Sequence, residues 1–324
     1  MSSVHAPSRL YTDRDVFERE QDVIFAKSWQ FIGLEIDLTK EGDYLADVVA
    51  KYPVVVVRDH QGQLRAFHNV CRHRAGPLVA DGKGRCNKAF VCRYHAWRYA
   101  LDGNLTDTGE FPRPEEESGR HLFQVKVAVW RGLVFVNLDP GAAPLADMLA
   151  PLDTYFSRYR PMFTRIDHSH SVASNWKVYI ENYIDGYHQE GLHPALATND
   201  GDQRHPVTID GEVAFAGTGR AEDGFWAWVW PNLGFWYHRS VLMIERIRPV
   251  SETSTRLDHI YLHQPEDPGV DAVMSVTERN ADEDAWVCER VQRNLRAGIF
   301  TPSTLSSVDG GVGWFQQRIL SLLK

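Results

Sequence analysis

Long apolar runs are missing from this 324-residue chain, and cysteine is scarce. No run approaches the ~20 apolar residues that span a bilayer, so we expect no membrane helix. The first residues are too polar for a secretory signal, and four cysteines are too few for a disulfide scaffold, so the sequence predicts a cytoplasmic protein with reduced thiols. The 35 basic residues are outnumbered by 43 acidic ones, which argues against a nucleic-acid binder, because such a protein needs a basic surface.

The composition that remains is that of a globular protein with a sizeable core. Hydrophobic residues make up 43% of the chain, and its length suits roughly two domains. An amphipathic helix is predicted over residues 13–33 and is followed by short β-rich runs. Beyond a turn-rich junction at 139–151, long helical stretches near 175–190 and 282–297 alternate with strand-like runs. This order predicts an α+β fold with antiparallel sheets.

Two tight pairs of cysteine and histidine lie in the β-rich region. Cys71 and His73 form a C-x-H pair, Cys92 and His95 form a C-x₂-H pair, and 18 residues separate His73 from Cys92. Structural zinc usually takes two cysteines and then two histidines. Mixed pairs instead suit a [2Fe–2S] cluster with two cysteines on one iron and two histidines on the other. The sequence therefore predicts such a cluster, the alternative being buried cysteines and surface histidines that are close by chance.

A second group of chemically active residues lies in the segment 175–193. Aromatic and aliphatic residues recur there at helical spacing, which predicts a helix with one buried face. Asp185 and His188 are neighbours at i,i+3 on this helix, and His193 follows Gly191, where we expect the helix to end. Two imidazoles placed in this way can converge on one metal ion, which then needs a third ligand.

A carboxylate from a later helix is the predicted third ligand. Two histidines and one carboxylate on one face of an octahedron form the non-haem Fe(II) triad, which leaves positions open for O₂ and substrate. Asp284 is the best candidate, because apolar residues follow it at +3, +4, +7 and +11 and an unpaired carboxylate on that buried face would be costly. Taken alone, it could equally be a charge that favours the helix dipole. Asp282, Glu283 and Glu289 lie off this stripe and are expected to be solvated.

With both groups in view, the chain resembles the oxygenase component, or α subunit, of the Rieske non-haem iron oxygenases, a family of aromatic-ring-hydroxylating and choline-monooxygenase-like enzymes. The resemblance covers nearly the whole chain. It rests on CRHRAG and CRYHAW, on N-W-K…E-N-Y-x-D-x-Y-H-x₄-H, on PNL at 231–233 and on D-x₄-E-x₂-Q from Asp284. Arg93 and Ala96 depart from the proline and glycine that are common in the family, but neither is a ligand.

The resemblance implies a role for each candidate residue. The implied cluster ligands are Cys71, His73, Cys92 and His95, the implied iron ligands are His188, His193 and Asp284, and Asp185 is the implied electron relay. A Rieske domain is implied at 41–140 and a helix-grip catalytic domain at 141–324. The N-terminal helical segment at 1–40 is expected to pack against the catalytic domain.

The implied activity is that of a terminal oxygenase. It would use O₂ and electrons from NAD(P)H, delivered by a separate reductase with or without a ferredoxin, to hydroxylate, dihydroxylate or demethylate a small aromatic substrate. A homotrimer is implied, in which Asp185 bridges His95 of one subunit and His188 of the next. The alternatives are a monooxygenase of a quaternary ammonium compound, a Rieske electron-transfer protein without oxygenase activity, and a zinc-stabilised binding module.

Three tryptophans alternate along one predicted strand. Trp226, Trp228 and Trp230 would lie on the same face of a sheet. They either line a pocket for an aromatic ring or a cation, or pack the core beneath the helices. The sequence leaves this choice open, and with it the identity of the substrate.

Overall fold

The computed structural model describes residues 5–110, 120–156, 164–185, 187–193, 207–216, 224–238, 241–264, 269–306 and 309–324. Its helices are α1 (Arg9–Thr12), α2 (Arg14–Val23), α3 (Leu145–Leu149), α4 (Asp153–Phe156), α5 (Trp176–Tyr183), α6 (His188–Leu192), α7 (Val270–Arg296) and α8 (Gly310–Leu322). Its strands are β1 (Gln30–Leu34), β2 (Asp43–Val49), β3 (Tyr52–Arg58), β4 (Leu64–His68), β5 (Gly82–Arg85), β6 (Ala89–Val91), β7 (Arg98–Ala100), β8 (Leu105–Asp107), β9 (Gln124–Trp130), β10 (Leu133–Asn137), β11 (Thr164–Val172), β12 (Thr208–Asp210), β13 (Val213–Ala216), β14 (Phe225–Val229), β15 (Leu233–His238), β16 (Val241–Ser251) and β17 (Ser254–His263). The predicted α+β class is confirmed.

The chain divides into two compact units. Residues Gln21–Ala146 form the β unit, and Met1–Glu20 together with Asp147–Lys324 form the sheet-and-helix unit. The domain limits expected at residues 40 and 140 stay predictions. Within the described ranges, no helix combines the length and apolar character needed to cross a bilayer.

Antiparallel strands build the β unit in two sheets, ordered β1-β10-β9-β4-β3-β2-β5 and β6-β7-β8. Strand β3 is apolar at successive positions, rather than at alternate ones, because both of its faces are buried. Val55 and Val57 pack into one core cluster, and Val54 and Val56 pack into another on the opposite face. The first of these clusters also contains the two cysteines of the predicted cluster loops.

The predicted N-terminal helix is shorter than the periodicity suggested. Helix α2 ends at Val23, and Gln30–Leu34 is the fully buried strand β1, paired with β10. The predicted helix over 175–190 is also interrupted, because α5 ends at Tyr183 and α6 begins at His188. Asp185 and His188 therefore do not share one continuous helix, which corrects the expectation from their spacing.

A seven-stranded antiparallel sheet, ordered β11-β17-β16-β15-β14-β13-β12, dominates the sheet-and-helix unit. Residues directly opposite each other on paired strands point to the same face, so two rows of side chains cross the sheet on the face that carries the cavity described below. The first row is Trp226, Trp236, Met243 and Tyr261. The second row is Trp228, Gly234, Glu245, His259 and His168.

Helix α5 lies close to this sheet at a glycine. A Cβ atom on Gly234 would lie 2.4 Å from the hydroxyl oxygen of Tyr183, the last residue of α5. Such a distance is far below van der Waals contact, so the absence of a side chain at Gly234 makes room for the tyrosine.

A buried ion pair joins the N-terminal helices to α5. The Lys177 ammonium donates to Glu20 Oε1 at 2.6 Å, and Trp176 Nε1 donates to Glu20 Oε2 at 2.8 Å. The side chains of Glu20 and Lys177 are both fully buried. Burial lowers the pKa of Lys177 in spite of the neighbouring carboxylate, so an isolated charge would be costly here.

Candidate functional site

Two loops carry the four predicted cluster ligands, and they share one backbone geometry. In each, the cysteine N–H donates to the carbonyl oxygen five residues later, at 2.8 Å for Cys71 and 2.9 Å for Cys92. The residue four positions after each cysteine, Ala75 or Ala96, donates back to the cysteine carbonyl. Both alanines have a left-handed backbone, with φ of 56° and 60°. The loops are two copies of the same tight turn.

The two cysteines and the two histidines of these loops differ in burial. Cys71 and Cys92 are buried, whereas His73 and His95 are partly exposed and lie with ring centroids 4.6 Å apart. Trp97 stacks on His73 at 4.7 Å with an interplanar angle of 7°. The structure therefore brings together two thiols on the inside and two imidazoles on the outside.

Neighbouring groups leave room for the thiols and hold them in place. A Cβ on Gly76 would lie 2.9 Å from Cys92 Sγ, and the Tyr99 hydroxyl lies 3.3 Å from Cys71 Sγ. Burial, with Cys71 alongside, raises the pKa of the Cys92 thiol, so its thiolate needs a positive partner. Two thiolates and two imidazoles are the donor set of a Rieske [2Fe–2S] cluster, and the residues present fit that group.

A second site in the sheet-and-helix unit brings together the three predicted iron ligands. Asp284 Oδ1 lies 3.2 Å from His193 Nε2 and 3.6 Å from His188 Nε2. One donor atom from each residue falls within 4.8 Å of the other two. His188 begins α6, His193 follows the end of that helix, and Asp284 lies on α7. This set of two imidazoles and one carboxylate fits a mononuclear Fe(II) ion.

Two further residues contact this group, and the sequence pattern predicted neither contact. Asn182 Nδ2 donates to Asp284 Oδ1 at 2.7 Å, and Glu283 Oε2 lies 2.7 Å from His193 Nδ1. Burial acts to lower the pKa of His193, but its hydrogen bonds to Asp284 and Glu283 raise the pKa overall. The surroundings of this imidazole thus favour a positive charge.

Two of the three acidic residues expected to be solvated have partners. Glu283 binds His193, and Glu289 Oε1 accepts a hydrogen bond from the Ala173 N–H at 3.1 Å. Asp282 is exposed, as expected. Asp185 lies between α5 and α6, where its Oδ2 is 4.0 Å from His188 Nδ1 and its Oδ1 accepts from the Tyr187 N–H.

A cavity of about 130 Å³ opens beside the three predicted iron ligands. The rings of Tyr183, Trp226 and Trp236 line it, with Trp226 and Tyr183 at a centroid distance of 4.6 Å. The buried carboxylate of Glu245 lines the same cavity and accepts a hydrogen bond from the Tyr179 hydroxyl at 2.7 Å. The cavity thus combines aromatic walls with one buried acidic group.

The three alternating tryptophans divide between cavity and core. Trp226 faces the cavity, whereas Trp228 and Trp230 are buried and pack edge-on against Trp314 and Phe315 of α8. The role of each tryptophan depends on its position along the chain, because α8 covers the sheet at Trp228 and Trp230 and not at Trp226.

Comparison with known proteins identifies two matched domains in the chain. Residues 28–116 match the family model of the Rieske [2Fe-2S] domain, and residues 162–223 and 218–324 match the ring hydroxylating alpha subunit catalytic domain. The second match argues against a pure electron-transfer protein and against a zinc-stabilised binding module.

Relatives and a solved structure agree with these family matches. The carnitine monooxygenase oxygenase subunit of Escherichia coli (strain K12) is 30% identical over 90% of this chain and 84% of its own length. The glycine betaine monooxygenase oxygenase subunit of Chromohalobacter salexigens is 37% identical over 59% of this chain, but that match covers only 43% of the relative. A solved quaternary ammonium Rieske monooxygenase, described with carnitine oxidation and inter-subunit electron transfer, superimposes with a TM-score of 0.83 at 25% identity, covering 100% of this chain and 96% of that one.

The predicted resemblance to an oxygenase component is confirmed. These relatives do not support three finer expectations from the sequence, namely an aromatic substrate, dioxygenation and a role in aromatic hydrocarbon catabolism. A [2Fe–2S] cluster, a mononuclear iron and O₂ are the cofactors and co-substrate of such components. By its two matched domains, the chain belongs to the Rieske non-haem iron oxygenases, as an oxygenase component.

Proposed function

We propose that the protein is the terminal monooxygenase of a quaternary ammonium compound. The observation that carries this proposal is the pairing of aromatic walls with the buried carboxylate of Glu245 in the cavity next to Asp284. Aromatic faces attract cations, and the attraction is worth up to about 2 kcal/mol when the cation is desolvated. The substrates named for the relatives above share this positive charge.

Charge balance in the cavity supports a cationic substrate. Glu245 is 2% exposed, and a buried carboxylate is costly unless a positive group compensates it. Tyr179 donates one hydrogen bond to it, and His259 Nε2 lies 3.2 Å away. Among the described residues that line the cavity there is no lysine or arginine. A substrate ammonium group would supply the missing charge.

The chain's own residues hold the reacting groups. We propose that Cys71, His73, Cys92 and His95 bind the [2Fe–2S] cluster and that His188, His193 and Asp284 bind the iron, which when present activates O₂. Glu283 would fix the orientation of the His193 ring and Asn182 that of the Asp284 carboxylate. The aromatic walls would seat the substrate and exclude water.

Electron delivery and assembly complete the proposal. A separate reductase would supply electrons from NAD(P)H, with or without a ferredoxin. Within a homotrimer, Asp185 would bridge His95 of one subunit and His188 of the next. The inter-subunit electron transfer described for the solved relative supports this arrangement. A cytoplasmic location belongs to the same proposal.

The experiment that tests the substrate class compares a cation with its neutral isostere. Choline, glycine betaine and carnitine are incubated with the iron-loaded protein and hydrogen peroxide, which bypasses the reductase, beside 3,3-dimethylbutanol and benzoate. We expect oxidation of at least one quaternary ammonium compound, and little or none of the carbon isostere. Oxidation of benzoate alone, or equal oxidation of choline and 3,3-dimethylbutanol, would contradict the proposal.

Variants of the cavity sharpen this test. Trp226→Ala should raise KM for the cationic substrate by roughly 2- to 30-fold, the range that 0.5–2 kcal/mol of cation–π attraction corresponds to. The matched control is Trp286→Ala, because Trp286 is 53% exposed on α7 and does not line the cavity. Equal KM changes in both variants would argue against the aromatic seat.

A further inference from the structure

Three histidines connect an exposed part of the sheet to the catalytic cavity. His168 and His170 lie two residues apart on β11, and His259 lies opposite His168 on β17. His168 is 48% exposed, and its Nδ1 lies 3.3 Å from Glu278 Oε1 on α7. His259 lines the cavity together with the proposed iron ligands. The series therefore begins in solvent and ends at the reacting groups.

The steps between these residues are short. Ring centroids are 6.1 Å apart for His168 and His170, and 5.2 Å apart for His170 and His259. The last step is the 3.2 Å approach of His259 Nε2 to Glu245 Oε1 inside the cavity. One water molecule between neighbouring rings would complete a hydrogen-bonded path.

Packing alone does not explain these histidines. His170 Nε2 and both ring nitrogens of His259 are buried and have no hydrogen-bond partner among the described residues, although His259 Nε2 lies 3.2 Å from Glu245 Oε1. Buried polar atoms of this kind are usually satisfied by water, and an aliphatic residue would fill the same space without the desolvation cost. Burial, reinforced by the neighbouring His259, lowers the pKa of His170, so its ring is neutral near pH 7. A neutral imidazole accepts a proton on one nitrogen and donates the other proton.

The reaction supplies a reason for such a path. In monooxygenation, substrate C–H, O₂, two electrons and two protons give C–OH and one water, and the reductase brings the electrons. The two protons come from solvent. We propose that His168, His170 and His259 carry them from solvent into the catalytic cavity. This inference rests on the proposed monooxygenase function, and its path ends beside Glu245, the carboxylate that the proposed function pairs with the substrate cation.

The test separates two routes to the same product. With hydrogen peroxide, C–H and H₂O₂ give C–OH and water, and no proton is consumed. His170→Phe should therefore lower O₂-driven turnover by roughly 10- to 100-fold, at or below the lower end of the range of about 10²–10⁴-fold for groups that transfer a proton directly, while peroxide-driven turnover changes by less than about twofold. His168→Gln, at the exposed end, should show a smaller loss that added imidazole restores. The matched control is the exposed His60→Gln in the other unit.

A second measurement does not depend on turnover. Exchange of the imidazole C2 hydrogen, followed by mass spectrometry in D₂O, should slow at His259 when His170 is replaced by phenylalanine, because its contact with solvent protons is cut. Equal losses by the O₂ and peroxide routes, or unchanged O₂-driven turnover in a metal-loaded His170→Phe protein, would overturn the proposal. If the wild-type protein oxidised no quaternary ammonium compound by either route, the proposed function itself would fail instead.

Discussion

Replacing Lys177 by methionine should destabilise the sheet-and-helix unit far more than the loss of an exposed charge in the same region. The substitution leaves the Glu20 carboxylate fully buried, with a hydrogen bond from the Trp176 indole N–H at 2.8 Å. Breaking a buried pair by removing one partner costs about 3–5 kcal/mol. In a unit of this size each kcal/mol lowers Tm by about 2–4 °C, so we expect a decrease of roughly 6–20 °C.

The assay is a double-mutant cycle followed by differential scanning calorimetry at one scan rate. Single variants Lys177→Met and Glu20→Leu each leave one buried charge, whereas the double variant leaves none. We therefore expect the double variant to be more stable than Lys177→Met alone, since an apolar pair of similar volume often replaces a buried ion pair at little cost.

The control is the exposed pair Arg14–Glu18 on the same helix, α2, whose side chains are 76% and 59% exposed. Glu18→Ala should change stability by less than about 0.5 kcal/mol. If Lys177→Met were no more destabilising than Glu18→Ala, or if the double variant lost as much as the two single variants together, the reasoning about buried charge would be wrong.

Four further outcomes are expected. His73→Ala should abolish the visible absorption of the cluster while iron loading persists, as seen by absorbance and metal analysis. Glu283→Gln should weaken iron binding by roughly 10- to 100-fold and Asp282→Asn should not, because only Glu283 contacts a proposed ligand; equal effects on the iron dissociation constant would refute this. Asp185→Asn should keep both metal centres but lose most NAD(P)H-coupled turnover. Burial raises the pKa of Glu181 to about 7, above its unfolded value near 4.5. The free energy of unfolding should therefore fall by about 3 kcal/mol as pH rises from the unfolded pKa through the folded one. Glu181→Gln should abolish this pH dependence, as measured by urea titrations at pH 5 and 8.

Spacing along the chain was enough to select the four candidate cluster ligands and the two candidate iron-binding histidines. The ligands within each pair are only a few residues apart: this holds for the C-x-H pair, the C-x₂-H pair, and His188 with His193. A single tight loop or short helix is therefore enough to bring the members of a pair together. Asp284 required the additional argument from helical phase. Glu283 escaped that argument, since neighbouring residues on a helix point about 100° apart and an imidazole inserted between them contacts both. No single-helix pattern reveals this partner, because His193 lies about ninety residues away in the chain.

Other errors have equally local causes. Helix α5 ends at Tyr183 and α6 begins at His188, and the sequence between them contains a D-G pair, a turn signal that the apolar periodicity on either side concealed. The alternation of tryptophans along the sequence correctly predicted that Trp226 and Trp228 lie on one face of the sheet. It could not predict which part of that face α8 covers. The partnership of Glu20 with Lys177 joins residues more than 150 positions apart, and nothing in either local sequence predicts it.

Gly234 allows the end of α5 to pack closely against strand β15. With no side chain at Gly234, the ring of Tyr183 descends almost to the backbone of β15. Tyr183 ends α5, and Asn182, the donor to Asp284, precedes it directly. Even one methyl group at Gly234 would overlap the Tyr183 hydroxyl, so the tyrosine ring, which lines the cavity, would have to move. Substitution at 234 would therefore reshape the aromatic cavity without replacing any residue that lines it.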